Sequence, residues 1–181
     1  MKADSAIGVA SADAPMTVAQ RAAYDAIANG PRGSVPTPFL LMLDAPDLCD
    51  AIQAVGAAIR YGGSLSDVRR ELAILATAGA VECAYEWEYH APIAEHCGVS
   101  ASVIAATLSD AAEGAGLDEE SALIISLCRA AALRQEPRDL TDRAVKMFGR
   151  RDTTELIAIA GYYGLLAGFL KSAGPNIAMP T

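Results

Sequence analysis

Four side chains capable of chemistry recur at helical spacing in the middle of the chain: Cys83, Glu86, Trp87 and His90. These positions, i, i+3, i+4 and i+7, share one face of an α-helix, and Ala94 and Cys97 continue the series. Glu86 and His90 stand one turn apart, within reach of a hydrogen bond. A carboxylate beside an imidazole fixes its tautomer and favours its protonated form, which makes the pair a unit for proton transfer. Glu71 lies twelve residues before Cys83, on the preceding helix, and can be brought opposite. Each residue also has a plainer reading. Trp87 fits a core position, Glu86 and His90 fit an ordinary surface pair, and Cys83 fits a small apolar filler. His96 reads as a capping or surface histidine near the end of the same helix.

The elements that must position these residues read as helices throughout. Thr17 and Gln20 form a capping box that opens the first, which runs to the break NGPRG. The proline-punctuated stretch VPTPFLLMLDAPD carries an apolar anchor at 39–43. Asp44 with Asp47 then opens a helix through LCDAIQAVGAAIRYG, ended by Gly62 and Gly63. Ser66 caps a helix over 67–80, and a second piece, 81–97, follows a bend and stops at Gly98. Ser100 caps a short helix, and Asp118 caps another through ESALIISLCRAAALRQ. A helix near 141–148 precedes a long apolar one, which the pair Asp152 and Glu155 starts. The expectation is an all-α, single-domain bundle of about seven or eight helices over residues 16–174. Flexible tails, 1–15 and 175–181, flank it.

Composition agrees with that class. Of 181 residues, 52% are hydrophobic and only 6% aromatic, which favours closely packed helices over a β-sandwich. A net charge of −8 and a pI near 4.7 exclude a phosphate-backbone partner, which needs a basic face. Cys49, Cys83, Cys97 and Cys128 lie far apart without a CxxC pair, so no secreted disulfide framework is expected. The N-terminus lacks the apolar run of a signal peptide. The apolar run at 156–170 is shorter than the roughly 20 residues a bilayer span needs, so it reads as a core or interface helix. The expectation is a cytoplasmic protein with no membrane partner.

Residues 70–100, from Arg70-Glu71 through AILATAGAVECAYEWEYHAPIAEHCGVS, resemble the carboxymuconolactone decarboxylase and alkylhydroperoxidase D-like family. The matching features are the Arg-Glu start, Glu71 twelve residues before Cys83, the EWxxH of Glu86, Trp87 and His90, and the closing Ala94, Gly98 and Ser100. The resemblance extends over about residues 17–172. It implies an alkylhydroperoxidase D-like helical fold and a homo-oligomer.

For the peroxidase branch, the resemblance implies a CxxC pair that cycles through a disulfide, helped by a glutamate and a histidine. Its first cysteine falls on Cys83, its helpers on Glu71 and His90, and its second cysteine on Glu86. That departure removes the local disulfide. Cys97 is about 21 Å further along a straight helix and cannot replace the missing thiol.

For the decarboxylase branch, the resemblance implies cofactor-independent proton transfer on a carboxylated lactone or related small acid. Glu71, Glu86 and His90 are then the catalytic candidates, with His90 as proton donor and the two glutamates tuning it. Arg70, Cys83 and Trp87 are the substrate-binding candidates. Arg70 would meet a substrate carboxylate or, equally, form a surface salt bridge. No metal is expected, since Glu86 and His90 supply only two ligands. The alternatives are a thiol-dependent hydroperoxide reductase acting through Cys83 and a non-catalytic helical ligand-binding assembly.

Overall fold

Alanine-rich segments with few β-branched residues become helices throughout the computed structural model, which describes residues 7–9, 11–109 and 117–173. Among the described residues there are eight α-helices, one π-helical turn and no strand. The helices are α1 (Val18–Ala28), α2 (Thr37–Met42), α3 (Pro46–Ala57), α4 (Asp67–Ala80), α5 (Ala84–His96), α6 (Ala101–Ala106), α7 (Glu119–Ala132) and α8 (Arg138–Ser172). The π-helical turn, Ala58–Gly62, extends α3. Gly149, at φ 82° and ψ 168°, breaks α8 into a short and a long piece. The all-helical class follows the sequence reading. The expected tail 175–181 lies outside the described residues.

The chain up to Gly62, together with its end from Gly168, forms one compact unit, and Gly63–Ala167 form the other. In the first unit the capping box of Thr17 and Gln20 opens α1 as expected. Asp44, expected to open α3, instead accepts from the Gly8 N–H at 2.6 Å and from Gln20 Nε2 at 3.3 Å. Ala45 and Pro46 start that helix, and Asp47 sits in its first turn. Gly8 is tied to Asp44, and Val9 is buried with its N–H on Leu40 O.

The second unit is built around α4, whose residues 71–78 are all buried. A helix buried on every side must be covered by others, and α5 and α7 pack against it. Ser66 caps it through the Arg69 N–H, as the sequence suggested. Its C-terminus is a Schellman turn: Cys83 N–H reaches Ala78 O at 2.9 Å and Glu82 N–H reaches Gly79 O at 3.2 Å. The turn needs a left-handed residue, and Glu82 supplies it at φ 51°. A residue with a Cβ pays about 1 kcal/mol there. The same turn ends α5 at Gly98, where no such penalty arises.

The pair Asp152 and Glu155 does not start the long apolar helix. The Thr153 and Thr154 hydroxyls already bond back to Gly149 O and Arg150 O, so the helix begins earlier. The two carboxylates serve the approach to α4 instead. Asp152 accepts from the Ser64 hydroxyl at 2.6 Å, and Glu155 accepts from the N–H groups of Ser64 at 2.8 Å and Leu65 at 3.2 Å. Arg69 closes the group on Glu120 and Asp152 and lies over the Phe148 ring.

Candidate functional site

Helices α4 and α5 bring Glu71, Glu86 and His90 into one buried cluster. His90 Nδ1 is 2.6 Å from Glu71 Oε2, and His90 Nε2 is 3.6 Å from Glu86 Oε2. The three residues are exposed by 0%, 4% and 2% respectively. Each imidazole nitrogen therefore faces a carboxylate in a nearly dry setting. Arg70 Nε lies 3.5 Å from Glu71 Oε1, and its Nη2 binds Asp67 Oδ1 at 2.6 Å. Two rings hold the imidazole edge-on: Tyr89 at 5.1 Å and Tyr163, from α8, at 5.3 Å between centroids.

On the neighbouring side of α5 an open cleft of about 530 Å³ begins at Cys83, the helix N-cap residue. Trp87, Glu88, Glu82, Leu108 and Arg129 contribute to its walls, whereas Glu71, Glu86 and His90 do not line it. Buried Thr107 sets two of those walls. Its hydroxyl accepts from Trp87 Nε1 at 2.8 Å, and its carbonyl accepts from Arg129 Nη1 at 3.2 Å. Gly79 permits this arrangement, because a Cβ there would collide with Thr107 O.

The other thiols are poorly suited to nucleophilic work. Burial pushes Cys128 up to about 12, and burial with Asp50 beside it pushes Cys49 up to about 11. Cys97 closes the far end of α5. Among the described residues, no group of three or more His, Cys, Asp and Glu is placed to hold a metal ion.

The geometry thus joins the three catalytic candidates and separates them from two of the binding candidates. Cys83 and Trp87 line the cleft, while Arg70 is spent on Asp67 and Glu71, which favours its salt-bridge reading. The helix expected at 81–97 is buried along one side only, with Glu88, Tyr89 and Glu95 exposed. Sequence reasoning missed Tyr163, Thr107 and Arg129. The one available signal was Tyr162-Tyr163, an aromatic pair inside an otherwise aliphatic run.

In fold the chain is similar to a crystal structure from Ralstonia eutropha JMP134, described as an alkylhydroperoxidase AhpD core and an uncharacterized peroxidase-related protein. The TM-score is 0.67 at 20% identity, covering 89% of this chain and 87% of that one. The class is therefore an all-helical protein with the alkylhydroperoxidase D-like fold. Residues 46–126 match the model of the carboxymuconolactone decarboxylase family. The match includes Glu71, Cys83, Glu86, Trp87 and His90, and stops short of Arg129 and Tyr163. No curated protein matches the sequence.

Proposed function

We propose that the protein is a cofactor-independent enzyme of decarboxylase type, acting on a carboxylated lactone or related small acid. The observation that carries this reading is the buried pairing of His90 with Glu71 and Glu86. Loss of carbon dioxide breaks a carbon–carbon bond and leaves its electron pair on the substrate as an enolate. That carbon then needs one proton, and a paired imidazolium is the group to give it. Glu71 fixes Nδ1, so Nε2 is the donor, and Glu86 beside it holds the charge.

His90→Gln is expected to lower turnover by about 10²–10⁴-fold, the usual worth of general acid–base catalysis. Cys83→Ser is expected to leave most of it. Mass-spectrometric detection of products from carboxylated lactones supplies the assay. Full turnover in His90→Gln would remove the proposal.

A second reading has its own observation. Cys83 stands at the N-cap position of α5 and borders an open cleft that would admit a hydroperoxide. Under this reading Cys83→Ser abolishes peroxide consumption with a thiol reductant, and His90→Gln only slows it.

Both readings are compatible with a homo-oligomer, which we propose from α8. Ile157, Gly161, Leu165 and Gly168 form an exposed stripe free of charge along its long piece. By length and composition this helix also suffices to cross a membrane, with 50% of its most apolar window buried inside the protein. Light scattering in detergent-free buffer tests the oligomer; a mass of 18.7 kDa at every concentration would exclude it.

A further inference from the structure

The His90 side chain keeps one torsion that its own chemistry does not settle. Rotation of an imidazole about its Cβ–Cγ bond is broad, with no strong intrinsic preference. A half-turn would put carbon where each nitrogen stands, so the chemistry of the cluster depends on what stops it. Glu71 Oε2, 2.6 Å from Nδ1, holds one edge of the ring. Glu86 Oε2 lies 3.6 Å from Nε2, beyond hydrogen-bond length.

Two aromatic rings meet the imidazole, and they are not equally fixed. Both contacts are edge-to-face, at 73° for Tyr89 and 84° for Tyr163, so turning the imidazole forces it against its neighbours. Tyr89 precedes His90 on α5 and is 37% exposed, so it can yield toward water. Tyr163 comes from α8 and is 3% exposed. The Tyr162 ring backs it in turn, at 5.4 Å and 82°. A close-packed interior leaves such a ring no other position.

We infer that Tyr163 is a positioning residue for His90. Its ring, rather than its hydroxyl, fixes the imidazole so that Nδ1 stays on Glu71 and Nε2 is the nitrogen presented for proton transfer. The hydrogen bond selects the nitrogen, and the ring keeps that selection from being lost by rotation. The inference rests on the proposed role of His90 as proton donor. It gives the aromatic pair inside the aliphatic run of α8 a place in that reaction.

The chain has two histidines, His90 and His96, so a His96→Gln background leaves one imidazole to observe by heteronuclear NMR. An imidazole proton held by a carboxylate in a buried site exchanges slowly with water and resonates far downfield. The parent protein is expected to show this Nδ1–H resonance and Tyr163→Phe to keep it. Tyr163→Leu is expected to broaden or lose it while the helical circular dichroism is retained. In the proposed reaction Tyr163→Leu should lower kcat by about 10–100-fold with little change in KM, and Tyr163→Phe should keep both. A resonance unchanged in Tyr163→Leu, lost in Tyr163→Phe or absent from the parent protein would overturn the inference. If Tyr163→Leu does not fold, Tyr163→Met, whose longer side chain fills more of the space, takes its place under the same criteria. A fully active His90→Gln protein removes the proton-transfer reading and leaves the NMR test of Tyr163 standing. An unchanged resonance in Tyr163→Leu removes the role of Tyr163 and leaves that reading standing.

Discussion

Helix α5 carries two groups of polar residues, held in opposite ways. On one side Glu86 and His90 are almost wholly buried and meet Glu71 from α4; on the other, Glu88 and the neighbouring Glu82 stand in water at the mouth of a cleft. A buried charge costs several kcal/mol unless it is paired, so the first side needed an acceptor at each imidazole nitrogen and a cation behind Glu71. The second side needed no partners and kept its charges available to a ligand. The difference teaches that exposure, more than residue type, divides the work on this helix. The dry side suits proton transfer and the wet side recognition.

The sharpest way to break this comparison is to remove one carboxylate from each side. Glu71→Ala removes the carboxylate that faces His90 Nδ1 and is expected to cost about 3–5 kcal/mol, whereas Glu88→Ala should stay within about 0.5 kcal/mol. Urea unfolding of both variants measures the contrast, and similar losses would erase it.

A carboxylate of intermediate exposure tests the same idea through pH. Burial works to raise the Glu155 carboxyl, but the N–H and hydroxyl of Ser64, the Leu65 N–H and Arg151 outweigh it and hold its pKa below the ordinary value. A carboxyl depressed on folding contributes stability above its unfolded pKa, about 4.3, and loses it as pH falls through the lower folded value. Glu155→Gln should therefore destabilise at neutral pH and flatten the acid limb of a melting-temperature profile. An unchanged acid limb would mean that Glu155 behaves like the exposed rim glutamates.

The cleft side offers two smaller effects of opposite sign. Trp87→Phe keeps a ring but removes the bond to Thr107, at an expected cost of about 1 kcal/mol. Glu82→Gly relieves the left-handed conformation and should raise stability by about 0.5–1 kcal/mol. Thermal unfolding resolves both, and a destabilised Glu82→Gly protein would show that its side chain contributes more than rim charge.

Much of the fold was legible because helix ends are local chemistry. Thr17, Ser66, Ser100 and Asp118 cap the helices that their positions announced, and Gly98 ends α5. The failures share one cause. Asp44, Asp152 and Glu155 had the right type and spacing for caps, yet partners far along the chain, Gly8 and Ser64, claimed their oxygens. A carboxylate bonds to whichever donors folding brings near it, and sequence spacing describes only the near ones.

The site divides along the same line. The sequence by itself determined that Glu86 and His90 share a helical face with Cys83 at its start, because 3.6 residues per turn fixes it. It also determined that no second thiol stands one turn from Cys83. Only the tertiary structure decided that Glu71 is the partner of His90 Nδ1, that Tyr163 closes on the ring, that Arg70 meets Asp67 and Glu71, and that Arg129 lines the cleft. Those contacts join helices α4, α5, α7 and α8, and their geometry follows from how buried apolar faces pack, which no local spacing encodes.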